Sequence, residues 1–92
     1  MEEVSKICKK NDIIFMVDNK IATPVLFNPI DYGADIVLHS VTKFMGGHGV
    51  ALGGVIVDSG NFDWAATKKF KNITESYSGY NNINYFEEFG PA

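Results

Sequence analysis

A chain of 92 residues suffices for one small domain, and at that size folding buries only about 60–65% of the surface the unfolded chain exposes, so stability alone is marginal. A hydrophobic fraction of 46% excludes a disordered segment, and a net charge of −3 gives no electrostatic footprint for nucleic acid or an anionic membrane. No apolar run approaches the roughly 20 residues of a membrane span, Met1-Glu2-Glu3 is not the start of a signal peptide, and a single cysteine, Cys8, forms no internal disulfide, which together favour a soluble cytoplasmic protein.

Residues 2–10 read as a helix, with Val4, Ile7 and Cys8 on one apolar face. Glu2 and Glu3 in its first turn and Lys9 and Lys10 in its last suit the helix dipole. Asn11-Asp12 breaks the pattern. The unbroken run Ile13-Ile14-Phe15-Met16-Val17 reads as a strand buried on both faces, as in a parallel sheet, ending at Asp18-Asn19. Ala22-Thr23-Pro24 opens a loop. Asn28-Pro29 starts a short helix, with Asn28 as cap and Pro29 at the first helical position, and Gly33 closes it. Ile36-Val37-Leu38 is a second buried strand, and a strand, a helical crossover and a strand predict a parallel pair. Gly46-Gly47-His48-Gly49 is a tightly turning loop, Val55-Ile56-Val57 a third strand, and Asp58-Ser59-Gly60 a turn. Residues 61–70 are expected to form a helix capped by Asn61, with Phe62, Ala65, Ala66 and Phe70 as its stripe. From Lys71 onward no periodicity is evident. Three strands with few helices to cover them suggest an α/β domain incomplete at both ends.

In open α/β sheets, ligands bind beyond the carboxyl ends of the strands. Asp18 ends the first strand, and Ser40-Val41-Thr42-Lys43 follows the second. Parallel neighbours would bring these groups to one rim. A carboxylate, two hydroxyls and an amine suit pyridoxal 5′-phosphate (PLP), whose aldehyde takes a lysine amine, whose ring nitrogen takes a carboxylate and whose phosphate takes hydroxyl and N–H donors.

The ordered series Val17-Asp18-Asn19, Ala22-Thr23-Pro24, Asn28-Pro29, Gly33-Ala34-Asp35-Ile36-Val37 and His39-Ser40-Val41-Thr42-Lys43 resembles the Cys/Met-metabolism family of PLP enzymes. The resemblance covers nearly the whole chain. It implies a fragment of the large PLP-binding domain of a type I, aspartate aminotransferase-like enzyme, spanning residues 1–92. Lys43 matches the family's Schiff-base lysine, Asp18 its ring-nitrogen partner, and Ser40 and Thr42 its phosphate-contacting hydroxyls. Gly46-Gly47-His48-Gly49, the run from Gly53 to Gly60, Phe62-Asp63-Trp64, Ser76-Tyr77-Ser78-Gly79 and Phe89-Gly90-Pro91-Ala92 resemble the O-acetylhomoserine sulfhydrylase branch, which replaces acetate by sulfide or a thiol to give homocysteine or methionine. The related cystathionine γ-synthase and methionine γ-lyase activities remain open within the family. A small amino-acid substrate and a homotetrameric parent enzyme are implied as well. By the same resemblance, the ring-stacking aromatic and the Tyr and Arg that reach the phosphate lie upstream of Met1, and the substrate-clamping arginine lies downstream of Ala92. The chain departs from the family pattern at Lys20, where the family has Thr, and at Ser78, where it has His.

Plainer readings stand beside these. Asp18 equally reads as a turn cap, and Ser40 and Thr42 as partners of loop backbone groups. His39 and His48 have no metal-site spacing, so His39 is a structural residue at a strand end. Cys8 reads as a buried helix residue. The glycine loop lacks the ending of a nucleotide-binding P-loop. Tyr77, Tyr80, Tyr85 and Phe86 read as packing groups for absent parts of the enzyme. An inactive truncated remnant and a non-catalytic interaction module are the alternatives to an enzyme segment.

Overall fold

The structure, a computed structural model, describes residues 1–79 and 81–90. Its elements are α1 (Glu2–Lys10), β1 (Met16–Asp18), α2 (Thr23–Leu26), a 3-10 turn (Pro29–Tyr32), β2 (Ile36–Ser40), an irregular turn (Val41–Met45), β3 (Gly54–Asp58), α3 (Lys71–Thr74) and α4 (Tyr85–Phe89). Backbone proximity divides the chain into two compact units, Met1–Ser59 and Gly60–Ala92.

The first unit is built on a three-stranded sheet in the order β1-β2-β3. As expected, β1 and β2 are parallel, with Met16 opposite Ile36, Val17 opposite Val37 and Asp18 opposite Leu38. β3 runs antiparallel to β2, from Ile36 opposite Asp58 to Ser40 opposite Gly54. β2 is therefore the central strand and sits at the core: among the described residues the buried hydrophobic ones are Ala34, just before the strand, and Ile36 and Val37 within it, Val37 at 1% exposure. Its unbroken apolar run marks burial on both faces.

The same inference fails for the first strand. Only Met16–Asp18 pair as β1, and Met16 is half exposed. β1 is an edge with one neighbour, and its approach is fastened differently: the Asp35 carboxylate accepts the Phe15 N–H at 2.8 Å, and the Phe15 carbonyl accepts the Asp35 and Ile36 N–H groups at 2.8 and 3.2 Å.

α1 has the expected span and charge order, but its apolar stripe is turned outward, with Val4 and Ile7 exposed and Ser5 buried. A tertiary anchor holds the helix in this orientation. The Ser5 hydroxyl donates to the Gly33 carbonyl at 3.1 Å. Gly33 holds a left-handed φ of 90°, and a Cβ there would run into the Ser5 hydroxyl. Gly33 also closes the Pro29–Tyr32 turn as expected, whereas Asn28 makes no side-chain cap. Residues 23–26, read as loop, form the single turn α2 with Pro24 in its first turn.

In the second unit the expected helix over 61–70 is replaced by a turn over residues 64–67. The Asp63 carboxylate accepts the N–H groups of Ala65 and Ala66 at 3.1 and 3.0 Å, offering the backbone an alternative to helix bonds. Lys68 adopts a φ of 53°, which stops any continuation. The stripe residues Phe62 and Phe70 instead meet Trp64 edge to face, each ring centroid 5.0 Å from the indole. α3 and α4 follow where no periodicity was evident. Asn84 caps α4 by accepting the Glu87 N–H and donates to the Thr74 carbonyl at the end of α3 at 2.7 Å. Tyr77 pairs with Ile83 across an isolated bridge, and Tyr85 lies between Tyr77 and Phe89. Tyr80, Pro91 and Ala92 lie outside the described residues.

Candidate functional site

All four candidate site residues lie in the first unit, at or just beyond the carboxyl ends of the parallel pair. Residues paired across a ladder project to the same face, and neighbours along a strand alternate. Asp18, opposite Leu38, therefore shares a sheet face with Ser40. Gly54, opposite Ser40, places no side chain on that face beside the hydroxyl.

The end of β1 is pinned from inside. Asn19, at 5% exposure, donates its backbone N–H to the Leu38 carbonyl at 2.8 Å and its side-chain amide to the Phe27 carbonyl at 2.8 Å. Its own carbonyl accepts the Thr23 N–H at 3.1 Å. Asn19 thus fixes the turn that aims Asp18. Its role was not evident in sequence; an amide directly after the strand-ending carboxylate was the available signal. Thr23 is buried and holds a φ of 61°. A β-branched residue in that region costs on the order of 1–3 kcal/mol and persists only where its surroundings over-determine it.

Asp18 is exposed, and both its oxygens face Lys20. The Lys20 N–H donates to Oδ1 at 3.2 Å, and Lys20 Nζ lies 3.2 Å from Oδ2.

Ser40 is half-buried and leaves the following turn without a side-chain cap. Thr42 is committed to the backbone, as its plainer reading has it. Its hydroxyl accepts the Gly53 N–H at 3.0 Å and donates to the Gly53 carbonyl at 3.4 Å, while the Val41 N–H donates to that carbonyl at 2.9 Å. These bonds fold the glycine loop back onto the end of β2. The donated O–H is long and weak, and its carbonyl keeps Val41, so the Thr42 proton can be redirected to an anion at small cost.

Lys43 interrupts the Val41–Met45 turn with φ −89° and ψ −127°. Its carbonyl accepts the Gly47 N–H at 2.9 Å. The amine is exposed and forms no ion pair among the described residues. With Thr42, Phe44, Gly47 and Gly49 it lines a recess of about 280 Å³. A carboxylate, two hydroxyls and an accessible amine around one strand rim form a donor set that fits PLP in kind.

His39 is buried in β2, and its Nδ1 has no hydrogen-bond partner among the described residues. Cys8 is half-buried and free. No cluster of His, Cys, Asp or Glu suited to a metal ion occurs among the described residues. No described helix is long and apolar enough to cross a membrane.

Residues 1–84 match the family model described as Cys/Met metabolism PLP-dependent enzyme. An O-acetyl-L-homoserine sulfhydrylase of Leptospira meyeri is 47% identical over 87 residues, which is 95% of this chain and 20% of that protein. A homocysteine synthase of Schizosaccharomyces pombe is 45% identical over 97% of this chain and 21% of its own length. A solved structure from Campylobacter jejuni, assigned as an O-acetylhomoserine (thiol)-lyase and holding N′-pyridoxyl-lysine-5′-monophosphate, superposes with a TM-score of 0.86 at 30% identity, covering 96% of this chain and 21% of that one. The chain spans about a fifth of the length of the curated relatives it matches.

Proposed function

The chain belongs to the Cys/Met metabolism family of PLP-dependent enzymes, and from that premise we propose that it is the cofactor-holding segment of an O-acetylhomoserine sulfhydrylase. The reaction replaces the acetate of O-acetylhomoserine by sulfide or a thiol and yields homocysteine or methionine. The observation that carries this reading is the parallel β1–β2 register, which sets Asp18 beside Leu38 on the face of Ser40, with Thr42 and Lys43 next along the chain.

Within it, Lys43 tethers the cofactor through its amine. Asp18 holds a proton on the ring nitrogen. Ser40 and the redirected Thr42 hydroxyl donate to the phosphate. PLP itself supplies an electron sink for the substrate. The neutral Lys43 amine would be the nucleophile toward the cofactor aldehyde. Residues 1–92 then form part of a PLP-binding domain, in a parent enzyme that acts on a small amino acid, assembles as a homotetramer and works in the cytoplasm. Cystathionine γ-synthase and methionine γ-lyase chemistry would use the same four residues.

A second reading, a scaffold segment that pairs with other chains of the family, draws on the exposed apolar residues Val25, Leu26, Val50 and Leu52, the last at 92% exposure.

Borohydride reduction of the chain with PLP, followed by peptide mapping, separates the two. The enzymatic reading expects phosphopyridoxyl label concentrated on Lys43. Label spread evenly over the chain's lysines contradicts it.

A further inference from the structure

We propose that Lys20 is a built-in competitor for the Asp18 carboxylate, so that a cofactor ring nitrogen reaches Asp18 only by displacing it. This inference rests on the assignment of Asp18 as the ring partner. It is carried by a different observation, the engagement of both carboxylate oxygens by one neighbouring residue.

The pair is local and held in place. Asn19, between the two residues, is tied to Leu38 and Phe27 and is almost fully buried. The backbone of Lys20 is therefore fixed beside Asp18, and its N–H contact to Oδ1 survives any side-chain change. The Nζ contact to Oδ2 is the removable part. A protonated ring nitrogen and a lysine ammonium are both cationic donors and want the same acceptor. With the two side chains 51% and 52% exposed, the ion pair is screened by water. The competition is accordingly modest and reversible: a latch that tunes affinity and leaves the site open to the cofactor. An uncharged hydroxyl at this position would bring no competing positive charge to Asp18.

The test measures PLP affinity of the full chain, read as the fraction trapped on Lys43 by borohydride against PLP concentration, so that no turnover is required. Lys20→Thr should tighten binding by roughly two- to five-fold at low ionic strength, the range an exposed ion pair allows. The gain should shrink at high salt. Lys20→Arg, which keeps the charge and adds a fork of donors, should give no gain. In an Asp18→Asn background Lys20→Thr should also give no gain, since the contested carboxylate is gone. Equal or weaker binding in Lys20→Thr, with label still on Lys43, overturns the competitor role and leaves the cofactor site standing. Failure to label Lys43 in any variant removes the cofactor site and the competitor role together. A gain that persists in Asp18→Asn also overturns the proposal, because Lys20 would then act on something other than Asp18.

Discussion

The two units of the chain are stabilised in different ways. Met1–Ser59 is organised by a β ladder whose central strand is buried, and its fastenings link residues far apart in sequence, such as Asp35 to Phe15 and Ser5 to Gly33. Residues 60–90 contain no fully buried side chain among those described and are held by ring contacts and short caps. The candidate site lies wholly in the first unit. The candidate residues thus fall in the region where long-range hydrogen bonds fix the backbone.

Hydrogen exchange offers the largest contrast. The Val37 and Leu38 amides, inside the ladder, should exchange on the order of a hundredfold more slowly than those of residues 61–70. Equal rates would erase the distinction between the units. Next in size is Asp35→Ala, which removes a charged, buried acceptor from the Phe15 N–H. It should cost about 2–3 kcal/mol in urea unfolding followed by the β1 and β2 amides, and Trp64 fluorescence should not register the change. A matching shift at Trp64 would mean that the units unfold as one. Trp64→Ala inverts the experiment. It breaks two edge-to-face contacts, each worth about 0.5–1.5 kcal/mol, and should loosen residues 61–70 while protection of β2 stays constant. The smallest effect belongs to His39→Leu. An unpaired buried Nδ1 is a standing penalty, so the apolar replacement should be neutral or stabilising by up to about 1 kcal/mol; a clear loss of stability would reveal a partner for that nitrogen.

What could be read from the residues follows the same division. β2 was legible because a strand buried on both faces leaves an unbroken apolar run. The Pro29–Gly33 turn was legible from proline and glycine chemistry. The four candidate site residues were singled out through ordered motifs; the family match bears out the resemblance those motifs carry, and the residues' roles are proposals. α1 was located correctly, but its orientation was not, since the Ser5–Gly33 bond that turns Ser5 inward and leaves Val4 and Ile7 exposed is tertiary. The helix expected over 61–70 failed for a local reason, the Asp63 carboxylate capturing two amides. The short helix α4 depends on Asn84, whose amide reaches back to Thr74, a contact without periodicity. Lys20 stood out in sequence as a departure, and only the structure aims its amine at Asp18.

The central claim is that the carboxylate ending β1 and the amine beyond β2 serve opposite ends of one cofactor. The direct test is the nitrogen-15 resonance of ring-labelled PLP reduced onto Lys43 in the full chain. A protonated-type resonance that moves toward the neutral ring in Asp18→Asn is the expected result. A resonance identical in the two proteins, matching the same adduct on a free lysine, would place Asp18 out of reach and contradict the account.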